Sequence, residues 1–314
     1  MSFSIKIYLS IGFYAMKFII FGAGAIGSLF GGLLSTKNDV LLVGRKEHIE
    51  AIGKRGLKIE GATEGIFYPK IEWDGSKYDF VILATKAYDT GRAVDEISKR
   101  FGKIPIISIQ NGLRNEDIIA EKIGSKNVIG GVTNHGVTFI ENGRIFHAGK
   151  GETIIGEITG EITERIKKIC KAFNECGIET RISSEIKKEK WKKAIVNSAI
   201  NGLTTVLKCR NGEIIKNEHT KYLIKKICME GIEIADAEGI EIGKEIVNKV
   251  EEVARNTSEN ISSMLQDVLS GKKTEVDEII GEMVRRAKKH GINACINETI
   301  WAIIKASESV RHLG

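Results

Sequence analysis

Lys17-Phe18-Ile19-Ile20-Phe21-Gly22-Ala23-Gly24-Ala25-Ile26-Gly27 joins a short apolar run to a GxGxxG turn, and a further apolar stretch continues to Leu34. The run before the turn is apolar at almost every position, so it reads as a strand buried on both faces. In such a turn the first glycine permits the tight bend and the second lets a pyrophosphate approach the backbone. The third lets the helix pack on the strand, and the helix N-terminus faces the anion. A bare GxGxxG says little. Here it follows a strand, opens a helix and precedes a second apolar run, Asp39-Val40-Leu41-Leu42-Val43. That context favours dinucleotide binding over a glycine-rich turn of some other α/β fold. Gly22, Gly24, Ala25, Ile26 and Gly27 are therefore expected at the cofactor.

The same alternation continues outward. Strands are expected at 17–21, 39–43, 57–60, 79–84, 104–109, 127–131, 136–141, 144–148, 153–156 and 178–182. Runs such as Val81-Ile82-Leu83 are those of a parallel sheet. Beyond Ser183 the apolar residues recur at helical spacing through 185–208, 213–237, 243–270, 273–290 and 296–311, and Ser184 is the expected cap of the first of these helices. The expected architecture is α/β: a Rossmann-type doubly wound sheet over 16–182, then an all-helical domain over 183–314. Residues 1–15 read as an N-terminal extension. Its apolar character with one Lys6 also fits a short secretory leader, but the first strand follows immediately and Met16 reads as the natural start.

At 314 residues the chain is too long for one βαβ sheet, which agrees with two domains. Lys plus Arg number 47 against 41 Asp plus Glu, an excess of six that is too dilute to argue for nucleic acid. Five cysteines, odd in number and without a CxxC pair, indicate neither a disulfide framework nor a zinc site. A reducing compartment, the cytoplasm, fits best. No stretch is long and apolar enough for a membrane span.

Four places in the chain carry charge or polarity where a ligand could bind. About 20 residues past the motif, where an acid binds the ribose hydroxyls of NAD, stands Gly44-Arg45-Lys46. A guanidinium there suits a 2′-phosphate and so NADP, although Glu47 lies close by. Lys86 follows the strand 79–84, and Gln110-Asn111-Gly112 ends the next one. Ligands of doubly wound sheets bind beyond such strand ends. In the helical half, Lys193, Asn197 and Asn201 fall at i, i+4 and i+8 along one stripe of an otherwise apolar helix. Buried amides need partners, so the stripe is either an interhelical hydrogen-bond network or the wall of a cleft.

From Met16 onward the chain resembles the 2-dehydropantoate 2-reductase (ketopantoate reductase) family. The resemblance rests on the GAGAIG turn, Ala84-Thr85-Lys86-Ala87-Tyr88, Gln110-Asn111-Gly112, Trp191-Lys192-Lys193 with Asn197 and Asn201, and Cys209-Arg210-Asn211-Gly212-Glu213. Its most specific part is Asn260-Ile261-Ser262-Ser263-Met264-Leu265-Gln266-Asp267 preceding Thr274-Glu275-Val276-Asp277. The resemblance implies a Rossmann domain and a helical domain with the active site between them, and NADPH-dependent reduction of the 2-oxo acid 2-dehydropantoate (ketopantoate) to pantoate. It places the catalytic lysine on Lys193 and an acid on Glu275, which would bond the substrate hydroxyl and hold Lys193. It places substrate contacts on Asn111, Asn197, Asn201, Asn211 and Ser263, and cofactor contacts on Arg45, Lys86 and Asn111. Asp89 departs from a glutamine found in some NADP-using relatives, which keeps NAD open as the coenzyme. No metal, nucleic acid or membrane is implied, and a homodimer is the assembly considered. Two other readings are a reductase of a different 2-oxo acid and a nucleotide-sensing protein without turnover.

Overall fold

The structure, a computed structural model, describes residues 15–309, so nearly all of the expected extension lies outside the described residues. β1 (Lys17–Phe21) pairs in parallel with β2 (Asp39–Val43) and with β5 (Phe80–Leu83). The sheet continues in parallel through β6 (Ile106–Ser108) and β7 (Val128–Thr133). It closes with β10 (Thr153–Glu157), which runs antiparallel to β7, and β11 (Thr180–Ile182), which follows β10 in parallel. Ile19, Ile20, Val81, Ile82, Ile106 and Ile107 are fully buried, the result expected of central strands covered on both faces. The coverings are α1 (Ala25–Leu34), α3 (Thr90–Phe101), α4 (Asn115–Ile123) and α5 (Glu164–Glu175). α2 (Lys46–Arg55) follows β2.

Two features depart from the expected single doubly wound sheet. β3 (Leu57–Gly61), β4 (Gly65–Phe67), β8 (Gly136–Glu141) and β9 (Arg144–Gly149) form a separate four-stranded sheet in the order β4-β3-β9-β8. β4 was not expected, being three residues long and opened by Gly65. The reversal at β10 was also not expected, since strand direction is set by the connection and leaves no trace in side-chain pattern.

Helices take over after β11. α6 (Ile186–Leu207) is buried on every side from Ala194 to Thr205 and forms the axis of this half. Around it lie α7 (Glu218–Ala237), α8 (Ile246–Asn256), α9 (Ser263–Leu269), α10 (Val276–His290) and α11 (Cys295–Ser309). Trp191, Ile195 and Ala199 share a core with Ile227 and Ile234 of α7 and with Ile279 and Met283 of α10. The expected helix over 243–270 is two helices. Asn256 to Asn260 is a polar run whose side chains compete with the helical backbone; Thr257 Oγ1 donates to the Val253 carbonyl, and Ser262 Oγ then caps α9 by accepting Leu265 N–H. Ser184 is not the cap of α6; Ser183 Oγ instead accepts Glu185 N–H at 3.1 Å.

Candidate active site

The turn after β1 is shaped by exclusion. Gly22 has φ +105°, and its N–H and that of Ala23 both donate to Val43 O at 3.0 and 2.9 Å. A Cβ on Gly27 would lie 2.1 Å from Gly22 O, whereas one on Gly24 would have nothing within 4 Å. The space above Gly24 is therefore open in the direction from which a phosphate would arrive. Hydrogen bonding in α1 begins with Ser28 N–H to Gly24 O, so the amides of Ala25, Ile26 and Gly27 are left for an outside acceptor. α1 has no side-chain cap and no acid in its first turn, which suits an anionic ligand. Gly24 has extended angles that admit a side chain, but glycine is a much better helix N-cap than valine, so Gly24→Val costs on the order of 1 kcal/mol. The same side chain fills the cradle, and the expected result is a rise of at least about tenfold in cofactor KM with the melting temperature lowered by only a few degrees. Calorimetry and steady-state kinetics on one preparation check both.

Arg45 is exposed at the start of α2, its guanidinium 5.9 Å from the ring centroid of Phe139 on β8. His48, behind it, is buried. Gly143 N–H donates to His48 Nδ1 at 2.9 Å, which leaves Nε2 to donate to Ser28 Oγ at 2.9 Å. Burial, assisted by the Arg45 charge, lowers the His48 pKa to about 4, so the ring is neutral. Asp89 is bonded by the Arg92 guanidinium, which offsets its charge.

At the end of β5, Lys86 Nζ lies 2.6 Å from Asp267 Oδ2 and 3.5 Å from Glu275 Oε2. Burial opposes its charge, but Glu275 and Asp267 outweigh burial and hold the pKa above the usual lysine range. Glu275 also accepts Ala87 N–H at 2.8 Å. The expectation that Glu275 holds Lys193 is corrected here. Glu275 stands immediately before α10, whose start packs on the 86–87 turn, and the ammonium and amide found there take up its carboxylate. Gln110 is equally committed: its amide donates to Thr85 O, Thr85 Oγ1 and Thr90 Oγ1 at 2.9 to 3.1 Å. Of the two amides at that strand end, Asn111 is the one that meets the helical half.

α6 lies across the ends of β6 and β7. Lys190 donates to the Gln110 carbonyl and to the Glu116 carboxylate. One turn on, Lys193 Nζ donates to Asn134 Oδ1 at 3.0 Å, and a further turn on, Asn197 Nδ2 is 3.4 Å from Asn111 Oδ1. Ile109, Asn111, Gly112, Thr133, Lys190, Lys193 and Ala194 line one pocket at this junction. Burial lowers the Lys193 pKa to about 8. Asn201 is buried further along the stripe. Asn211 is turned to the α8–α9 joint, its Nδ2 donating to Thr257 Oγ1 at 2.9 Å, while its Oδ1 is buried without a partner among the described residues. Ser263 is exposed at the first position of α9; its neighbour Ser262 makes the local hydrogen bonds. The structure thus brings Asn111, Lys193 and Asn197 together, but no hydrogen bond links Asn211, Ser263 or Glu275 to them. Lys190, Glu116 and Asn134 were not anticipated, and no spacing signal marks them, since each acts through a contact between distant segments.

A phosphate cradle at the carboxyl ends of a parallel sheet, with a lysine presented to the neighbouring strand ends by a helical domain, is the plan of a two-domain Rossmann oxidoreductase. Comparison with known proteins narrows the class. Residues 18–160 match the family described as Ketopantoate reductase PanE/ApbA, and residues 185–308 match Ketopantoate reductase PanE/ApbA C terminal. The 2-dehydropantoate 2-reductase of Pyrococcus horikoshii is 40% identical over 298 residues, covering 94% of this chain and 98% of its own length. That of Pyrococcus abyssi is 41% identical, with 94% and 99% covered. The chain belongs to the ketopantoate reductase family. Among solved structures, 2-dehydropantoate 2-reductase from Geobacter metallireducens superimposes with a TM-score of 0.87 at 26% identity, covering 93% of this chain and 100% of the other. A ternary structure of D-mandelate dehydrogenase with NADH and anilino(oxo)acetate gives 0.88 at 28% identity, covering 93% and 98%. Among the described residues no helix is long and apolar enough to cross a membrane.

Proposed function

We propose that this protein reduces 2-dehydropantoate to pantoate with NADPH, the step that serves pantothenate and coenzyme A biosynthesis, in the cytoplasm. The observation that carries the reading is Lys193, an ammonium with a lowered pKa beside Asn111 and Asn197 in a chain of this family. The cofactor, when bound, supplies a hydride to the keto carbon. Gly22, Gly24, Ala25, Ile26 and Gly27 hold its pyrophosphate and Arg45 its 2′-phosphate. Asn111 and Lys86 line its cleft. Lys193 stabilises the forming alkoxide and gives it a proton. A lysine with a pKa near 8 is suited to this because it is mostly protonated at pH 7 yet surrenders its proton readily. Asn197, Asn201, Asn211 and Ser263 offer neutral donors to the substrate carboxylate and hydroxyl. Glu275 reaches that hydroxyl once substrate competes with Lys86 for its carboxylate.

The likeness to D-mandelate dehydrogenase supports a second reading, a reductase of another 2-oxo acid. Oxidation of NADPH and NADH measured with ketopantoate, 2-oxoisovalerate and an aryl 2-oxo acid separates the readings. A higher kcat/KM with either alternative acid would displace ketopantoate, and cofactor binding without any turnover would leave a nucleotide-sensing protein. Arg45→Ala should raise the KM for NADPH about tenfold or more, the scale of a lost charge-assisted contact, and leave NADH within about twofold. Equal effects on both coenzymes would remove Arg45 from the 2′-phosphate.

A further inference from the structure

Lys193 differs from its neighbours on α6 in the kind of partner it has. Lys190 meets the Glu116 carboxylate, and Lys192 lies 3.7 Å from Glu189. Among the described residues Lys193 has only the side-chain carbonyl oxygen of Asn134, and no carboxylate comes within ion-pairing distance of it. Asn134 follows β7 directly, and its side chain is exposed. The backbone that carries it is nonetheless held from three directions. Its N–H donates to Glu152 O at 3.0 Å. Its carbonyl packs so closely on Gly151 that a Cβ there would come within 2.3 Å of the oxygen. The next residue, His135, is buried, with Nδ1 3.0 Å from His147 Nε2, and His147 Nδ1 in turn is 2.9 Å from Thr63 Oγ1. Burial, with the neighbouring His147 and Lys150, lowers the His135 pKa to about 4, so this anchor is neutral at working pH.

We infer that Asn134 is a positioning residue for Lys193: its side-chain carbonyl, carried on a backbone held in place, aims the ammonium towards the Asn111 side of the cleft without bringing a negative charge to it. An aspartate at the same place would aim the group equally well, but would bind its proton too tightly for release to an alkoxide. Most of the other carboxylates on the surrounding elements are already engaged. Glu189 of α6 and Glu152 before β10 pair with Arg181, Glu116 of α4 with Lys190, and Glu275 with Lys86. Glu278 on α10 lies against Gly112; burial raises its pKa, and it makes no ion pair with Lys193. The inference rests on the reading of Lys193 as proton donor.

The test uses Asn134→Ala, Asn134→Asp and Lys193→Ala in the full chain. It reads kcat and KM separately, the pH dependence of kcat/KM, and the pH midpoint at which Lys193 is acylated by an amine-reactive ester, followed by peptide mass spectrometry. For Asn134→Ala the expected result is a fall of about tenfold in kcat with cofactor KM unchanged. For Asn134→Asp both the acylation midpoint and the basic limb of kcat/KM should move up by about one pH unit or more. The proposal is overturned if Asn134→Asp leaves the acylation midpoint in place, or if Asn134→Ala keeps parental kcat. If Lys193→Ala keeps turnover, the donor role itself fails; the acylation midpoint, which needs no activity, still reports whether Asn134 governs Lys193.

Discussion

Lys193→Ala is expected to lower turnover by at least about a hundredfold, the usual scale for a general acid, without lowering the melting temperature at pH 7. The two halves of this result have one cause. Lys193 is half-buried, and among the described residues its ammonium has one neutral acceptor and no counter-charge, so the folded protein carries a desolvation cost for keeping it charged. With the folded pKa lowered to about 8 from the ordinary 10.5, the unfolded chain binds more protons between those values, and stability rises with pH across that window. Below it the charged lysine destabilises the fold, and its removal relieves the cost. The same pKa sets the rate profile. The reduction requires the protonated form, so kcat/KM should fall as pH rises above about 8. A variant that kept near-parental turnover, or a profile flat through pH 9, would remove Lys193 from the proton transfer.

Lys190→Ala, one turn earlier on the same helix, should do the reverse. Its side chain and that of Glu116 are 8% and 12% exposed and bonded to each other, and Nζ also satisfies the Gln110 carbonyl. Truncating the lysine leaves Glu116 buried without a partner, which costs about 3–5 kcal/mol. Replacing both partners with apolar residues, Lys190→Met with Glu116→Leu, should recover most of the loss, because the pair's desolvation is relieved along with its attraction. Urea unfolding of the single and double variants measures both. A single variant that lost less than about 1 kcal/mol would behave like an exposed ion pair and contradict the burial argument.

The cradle and its helix were legible in the sequence because both are local. The order of strand, GxGxxG and helix, and the φ +105° that Gly22 adopts, are decided within eleven consecutive residues. The stripe of Lys193, Asn197 and Asn201 was legible for the same reason, since helical spacing alone puts the three on one face. The four-stranded second sheet was not legible as a sheet. Its central pairing sets Lys58 beside Arg144, and no local pattern says that strands so far apart are neighbours. The break at Asn256–Ser262 could have been read from its run of Asn, Thr and Ser, which favour caps and turns over helix interiors.

Side-chain type and spacing by themselves determined that the chain has a glycine turn between a strand and a helix, a helical second half and a polar stripe along one face of a helix in that half. They did not determine which lysine on the stripe's helix is structural and which is free to act, because Lys190 and Lys193 are chemically identical and one turn apart. That was decided by what lies beneath each turn when α6 crosses the strand ends: a carboxylate under Lys190, a neutral amide under Lys193. The same holds for Glu275, which the packing of α10 delivers to Lys86 and Ala87 rather than to Lys193. The pKa of a charged group depends on its surroundings within a few ångströms, and only the tertiary fold assembles those surroundings from residues distant in the chain.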